Sequence, residues 1–159
     1  GLTSTIESID TADGAIDEAF NPMSVAIRLT DELDVSRGDM ICRPANQPRV
    51  TQDLDAMVSW MADASTLNPG AMYSIKHTTR TARAKVREVK YRLDVNTLHR
   101  DEEANSLAVN EIGRVTLRTT VPLFVDEYRR NRTTGSFILV DEGTHATVGA
   151  GMILGPSPQ

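Results

Sequence analysis

Cysteine is nearly absent from this chain: Cys42 is the only one in 159 residues. That forbids an intrachain disulfide and any cysteine-based zinc site. Aromatic residues make up 4%, which leaves few rings to stack on nucleic-acid bases. No apolar run approaches the ~18 residues that a membrane span needs. The opening Gly1-Leu2-Thr3-Ser4 lacks the basic-then-apolar order of a secretory leader. These absences point to a soluble protein of a reducing, cytoplasmic compartment with no membrane partner. The first residue is Gly rather than Met, so the chain reads as a piece of something longer. Phosphate-binding motifs are missing too. Gly149-Ala150-Gly151 with Gly155 fits neither G-x-x-x-x-G-K-[ST] nor G-x-G-x-x-G, and reads as small residues that let a strand approach its neighbour closely. His77, His99 and His145 show no metal-ligand spacing. Asn131-Arg132-Thr133 fits a glycosylation sequon, but nothing sends the chain to a secretory pathway.

What remains is a globular mixture, 40% hydrophobic and 25% charged, of a length that makes one domain or two small ones. The net charge of −5 is unevenly spread. Residues 1–41 hold nine acids against Arg28 and Arg37, a balance of −7, while the rest of the chain carries +2. A change of sign partway along suggests two modules. It also sets the first against nucleic acid, because phosphate would be repelled there.

The apolar pattern has period two and frequent punctuation. Residues 3–9 alternate into an Asp13-Gly14 turn, and Val25, Ile27 and Leu29 share a face. Arg37-Gly38-Asp39 reads as a turn before the apolar run Met40-Ile41-Cys42, and the prolines at 44 and 48 mark a linker. Residues 54–61 fit a helical face or a strand face, and their strand-like neighbours favour a strand. Residues 72–93 form a long extended stretch. Ala82, Ala84 and Val86 lie on one parity and Val89, Tyr91 and Leu93 on the other, the switch that a bulge near Arg87-Glu88 would make. Residues 112–121 alternate until Pro122 closes them; 137–140 and 146–153 are two strands joined at Asp141-Glu142-Gly143. Only 124–128 and 16–20 invite a helical turn. Short strands with turns between them mean an all-β sandwich or barrel.

One cluster suggests a function. Residues 76–92 contain seven bases, Lys76, Arg80, Arg83, Lys85, Arg87, Lys90 and Arg92, against Glu88. Arg83, Lys85 and Arg87 would project from a strand opposite Ala82, Ala84 and Val86. Two readings stand: a stripe for phosphate, RNA or an acidic partner, or an ordinary solvated barrel face in a protein that uses Arg fourteen times and Lys three. Lys76, Arg80, Arg83, Lys85 and Arg87 are the candidate partner or polyanion surface. No catalytic, cofactor-binding or metal-ligating set stands out.

Several stretches resemble a known family. Leu29-Thr30-Asp31-Glu32-Leu33-Asp34-Val35-Ser36-Arg37-Gly38-Asp39 looks like the end of the second domain of translation-factor-type GTPases. Asp34-Val35-Ser36-Arg37-Gly38-Asp39 is similar to one branch, the GTPase (large) subunit of bacterial sulfate adenylyltransferase. Residues 91–98, 107–115 and 131–141 support that branch, and Thr147-Val148-Gly149-Ala150-Gly151-Met152-Ile153 is similar to the closing strand of the superfamily's third domain. The resemblance implies a partial second-domain β-barrel over 1–43, a linker at 44–48, a complete Greek-key third-domain barrel of the elongation-factor-Tu type over 49–153, and a tail or linker at 154–159.

In that family GTP and Mg²⁺ bind an N-terminal domain whose motifs do not occur here, so no cofactor is expected in this chain. The resemblance implies an enzyme as parent, a GTP-dependent sulfate adenylyltransferase, with this region as a coupling module lacking catalytic residues. Implied partners are its own GTPase domain, the small adenylyltransferase subunit and, in some members, a fused adenylylsulfate kinase. The alternative is an RNA-binding barrel as in translation factors, against which the scarcity of aromatic residues and the net −5 weigh.

Overall fold

Alternation drives this chain into strands. The computed structural model describes residues 1–157; Pro158 and Gln159, the end of the expected tail, lie outside them. Among the described residues the only helical element is a 3₁₀ turn at Pro44–Asn46. The chain divides after Ser36 into two units, seven residues before the expected linker.

The first unit is a three-stranded antiparallel sheet of β1 (Ile6–Thr11), β2 (Gly14–Ile16) and β3 (Ala26–Leu29), in the order β2-β1-β3. The Asp13-Gly14 turn joins β1 to β2, with Gly14 at φ +121°. Ile9 lies opposite Ile16 on one neighbour and Ile27 on the other. None of the described residues 1–36 is buried. The helical turn expected at 16–20 does not form, because Ile16 ends β2 as part of that apolar row.

The second unit contains β4 (Arg49–Trp60), β5 (Met72–His77), β6 (Arg80–Leu93), β7 (Arg100–Asp101), β8 (Ile112–Val125), β9 (Ser136–Val140) and β10 (Thr147–Pro156). Their order is β5-β9-β10-β4-β8-β6-β7, and a further β5–β6 pairing closes six of them into a barrel. Closure removes the sheet edges. The strand reading of 54–61 holds: Leu54, Ala56, Val58 and Trp60 all point inward at 0% exposure. Trp60 meets Tyr73 edge-on with centroids 5.3 Å apart, and its indole N–H donates to the Ser65 carbonyl at 2.7 Å. Gly149 lies against the Trp60 ring, and the place of a Cβ on Gly151 is filled by the Phe137 ring. These two glycines make room for aromatic groups at the paired positions of the neighbouring strands β4 and β9.

The expected bulge is present, with the β6–β8 register shifting between Val86 and Glu88; a second shift follows between Val89 and Tyr91. Three details differ from expectation. The stretch 72–93 is a hairpin, with His77 paired to Arg80 and Thr78 at φ +50°. It carries no Gly or Asn at its turn, so its sequence hid the reversal. Pro122 does not end its strand. β8 runs on to Val125, and Pro122 sits where pairing to β4 jumps from Arg118–Asp53 to Leu123–Thr51, a gap in which no ladder donor is needed. That continuation also takes Phe124 and Val125 out of the expected helical turn. Finally, β10 continues beyond Ile153 to Pro156.

Candidate functional site

Small inward residues on β6 dictate which bases reach solvent. Ala82, Ala84 and Val86 are buried in the barrel, so Arg83 and Lys85 point out; Arg87, the extra residue of the first bulge, is exposed beside them. Lys76 projects outward from β5.

Four of the seven bases are already engaged. Arg83 holds Glu142 through two bonds, Nε to Oε1 at 2.6 Å and Nη2 to Oε2 at 2.8 Å. This acid comes from the turn between β9 and β10, and its bonds raise the Arg83 pKa further. Arg92 bridges Glu111 at 2.6 Å and Asp101 at 2.8 Å. Lys90 lies 3.5 Å from Asp55. Arg80 donates to the Pro122 carbonyl at 2.9 Å, with its guanidinium 5.2 Å from the centre of the Phe124 ring. Lys76, Lys85 and Arg87 have no ion-pair partner among the described residues.

The structure therefore divides the five predicted residues. Lys85 and Arg87 come together in an open groove of about 880 Å³ that also includes Arg118, Met72 and Pro69. Arg83 is neutralised, Arg80 lies over Phe124, and Lys76 stands outside that groove. Arg118 was missed as a member. Its outward parity in the alternating stretch 112–121 was the available signal, but the adjacency to Lys85 comes from the β6–β8 register. A second hollow of about 510 Å³ includes Arg49, Asp126, Glu127 and Arg130, a mixture of both signs.

Beside the groove, Asp55 on β4 is 3% exposed although it faces outward. Arg114 covers it with two bonds, Nε to Oδ1 at 2.9 Å and Nη2 to Oδ2 at 2.6 Å. Burial pushes the Asp55 carboxyl up, but the bonds and charges of Arg114 and Lys90 outweigh it and hold it below its ordinary value. Inside the barrel, His77 is 1% exposed and its Nε2 lies 2.8 Å from the Thr134 carbonyl. Burial lowers its pKa against the opposing influence of that carbonyl and Asp126. His99 and His145 are exposed, and no three His, Cys, Asp or Glu side chains among the described residues are placed to hold a metal ion. Among the described residues no helix is long and apolar enough to cross a membrane.

Known proteins match this chain over nearly its whole length. It is 59% identical over 154 residues to the bifunctional enzyme CysN/CysC of Mycobacterium tuberculosis strain H37Rv, covering 97% of this chain and 25% of that protein. It is 43% identical over 154 residues to sulfate adenylyltransferase subunit 1 of Bacteroides fragilis, covering 97% and 32%. The chain thus spans about a quarter to a third of the length of these relatives, and they are the kind of protein the motifs at 29–39 and 131–141 resemble. The crystal structure of Sup35 complexed with GDP superposes with a TM-score of 0.83 at 20% identity, covering 98% of this chain and 38% of that one; at that identity the likeness concerns the fold. The sequence model of the GTP-eEF1A C-terminal domain-like family matches residues 53–154, which take in most of the closed barrel, and the chain belongs to that family.

Proposed function

We propose that this chain is the C-terminal barrel region of the large subunit of a GTP-dependent sulfate adenylyltransferase, the enzyme that forms adenosine 5′-phosphosulfate from ATP and sulfate. The observation that carries the reading is the 59% identity to CysN/CysC across 97% of the chain. GTP and Mg²⁺ would bind a separate N-terminal domain, and adenylyl transfer would take place on a small subunit. The barrel's part is coupling. It makes different contacts with the GTPase domain in its two nucleotide states, and that difference in contact free energy reaches the partner. A closed barrel suits the task, since a close-packed core transmits a displacement rather than absorbing it. In members fused to an adenylylsulfate kinase, the same barrel would also carry that domain. The setting is cytoplasmic.

RNA binding is the weaker reading. Four of the seven bases in 76–92 are held by acids, a carbonyl or a ring, which leaves few to neutralise phosphates.

The test is made on the intact large subunit with its small subunit. Leu139→Asp places a carboxylate in the barrel interior, where Leu139 is 0% exposed. GTP hydrolysis is expected to persist while its stimulation of adenylylation is lost. Full stimulation in a variant whose barrel has melted would overturn the proposal.

A further inference from the structure

Several outward charges on this barrel are matched in pairs. Asp55 is shared by Arg114 and Lys90, Glu142 takes Arg83, and Arg92 holds Glu111 and Asp101. The groove over β6 instead gathers two cations that have no ion pair among the described residues. Lys85 lies directly opposite Arg118 on β8, and like charges in facing positions are destabilising. The bulge then sets Arg87 at the same groove. Asp53 neutralises Arg118 at 2.6 Å, but Lys85 and Arg87 have no acid among the described residues. No carboxylate lines the groove, whose wall beside these cations is apolar: Pro69 with Met72, the latter 36% exposed. Charge left unmatched inside a concavity is suited to a partner that supplies the opposite sign.

We propose that this groove is a docking site for an acidic polypeptide segment, whose carboxylates meet Lys85 and Arg87 while an apolar side chain rests on Met72 and Pro69. Arg118, held by Asp53 from outside the lining, completes the groove. Charge complementarity and the mixed lining choose this occupant. A polynucleotide would find no aromatic platform in the groove, and it would approach a protein of net charge −5.

The test uses the whole chain and a short fluorescent peptide rich in Asp and Glu with a central Leu, followed by anisotropy at low and high salt. The double variant K85E/R87E is expected to weaken binding at least about tenfold, and binding to the native chain should fall as salt rises. R43E/R132E makes the same change of net charge at exposed residues outside the groove and should bind nearly as the native chain does. K85E/R87E should also melt no lower than the native protein, because it removes the like-charge opposition to Arg118. Equal loss in both doubles, no peptide binding at low salt, or a lowered melting point for K85E/R87E would each overturn the proposal. So would duplex RNA bound more tightly than the peptide and lost in K85E/R87E, which would make the groove a phosphate site. The groove is tested on this chain alone, so it can fail while the coupling role stands.

Discussion

Asp55 faces away from the barrel interior and is nonetheless covered by Arg114 and Lys90. Replacing it with Asn would leave those two cations side by side. A fully buried pair broken in this way costs about 3–5 kcal/mol. Because the Arg114 and Lys90 side chains keep 34% and 28% of their exposure, screening reduces the expected loss to about 1–2 kcal/mol. Urea unfolding of Asp55→Asn against the native chain measures it. The Asp55 pKa is depressed in the fold, so its stabilisation is present above the ordinary carboxylate range and lost as pH falls through the folded value. His77 acts at higher pH. Its folded pKa is lowered, chiefly by burial. From about pH 6.5 downward the unfolded chain therefore takes up a proton that the folded chain refuses. Stability should decline over that window until the folded value is passed. His77→Gln, which keeps a donor for the Thr134 carbonyl, is expected to flatten this part of a melting-temperature profile; an unchanged slope would show that other groups cause it.

The β5–β6 hairpin turns at Thr78 and Thr79, with Thr78 at φ +50°. A β-branched residue is disfavoured there, whereas Asn tolerates the left-handed region. Thr78→Asn is expected to stabilise the barrel by about 0.5–1 kcal/mol, seen as a higher denaturant midpoint with the slope unchanged. β10 presents the opposite case. The Phe137 ring occupies the space beside Gly151, so Gly151→Ala must displace an aromatic group that the whole wall holds in place. Overpacking of this kind costs about 1–3 kcal/mol, and the same unfolding experiment should show that loss.

The two units differ in what holds them together. The barrel buries twenty hydrophobic residues in one cluster, while none of the described residues 1–36 is buried. A unit of that size with no core cannot offset the entropy of ordering its chain. In hydrogen exchange on dilute protein, amides of β1 and β3 are expected to exchange far faster than those at 112–121 in β8. Equally slow exchange would show that the small sheet is stabilised from elsewhere. The strand content, the bulge at Arg87 and the turn at 141–143 were legible in local alternation and turn residues, because side chains on a strand must alternate between core and water. The resemblance carried by 29–39 and 131–141 reached the family by the same local route. Other features depended on register. The Thr78 reversal lacks turn chemistry, and the gap that accommodates Pro122 exists only where β8 faces β4. The basic stretch itself was visible, but it did not reveal that Arg83 would meet Glu142 across 59 residues while Lys85 would meet Arg118. Composition and periodicity determine which residues turn outward; barrel closure decides which charges become neighbours, because pairing register joins positions that are remote along the chain.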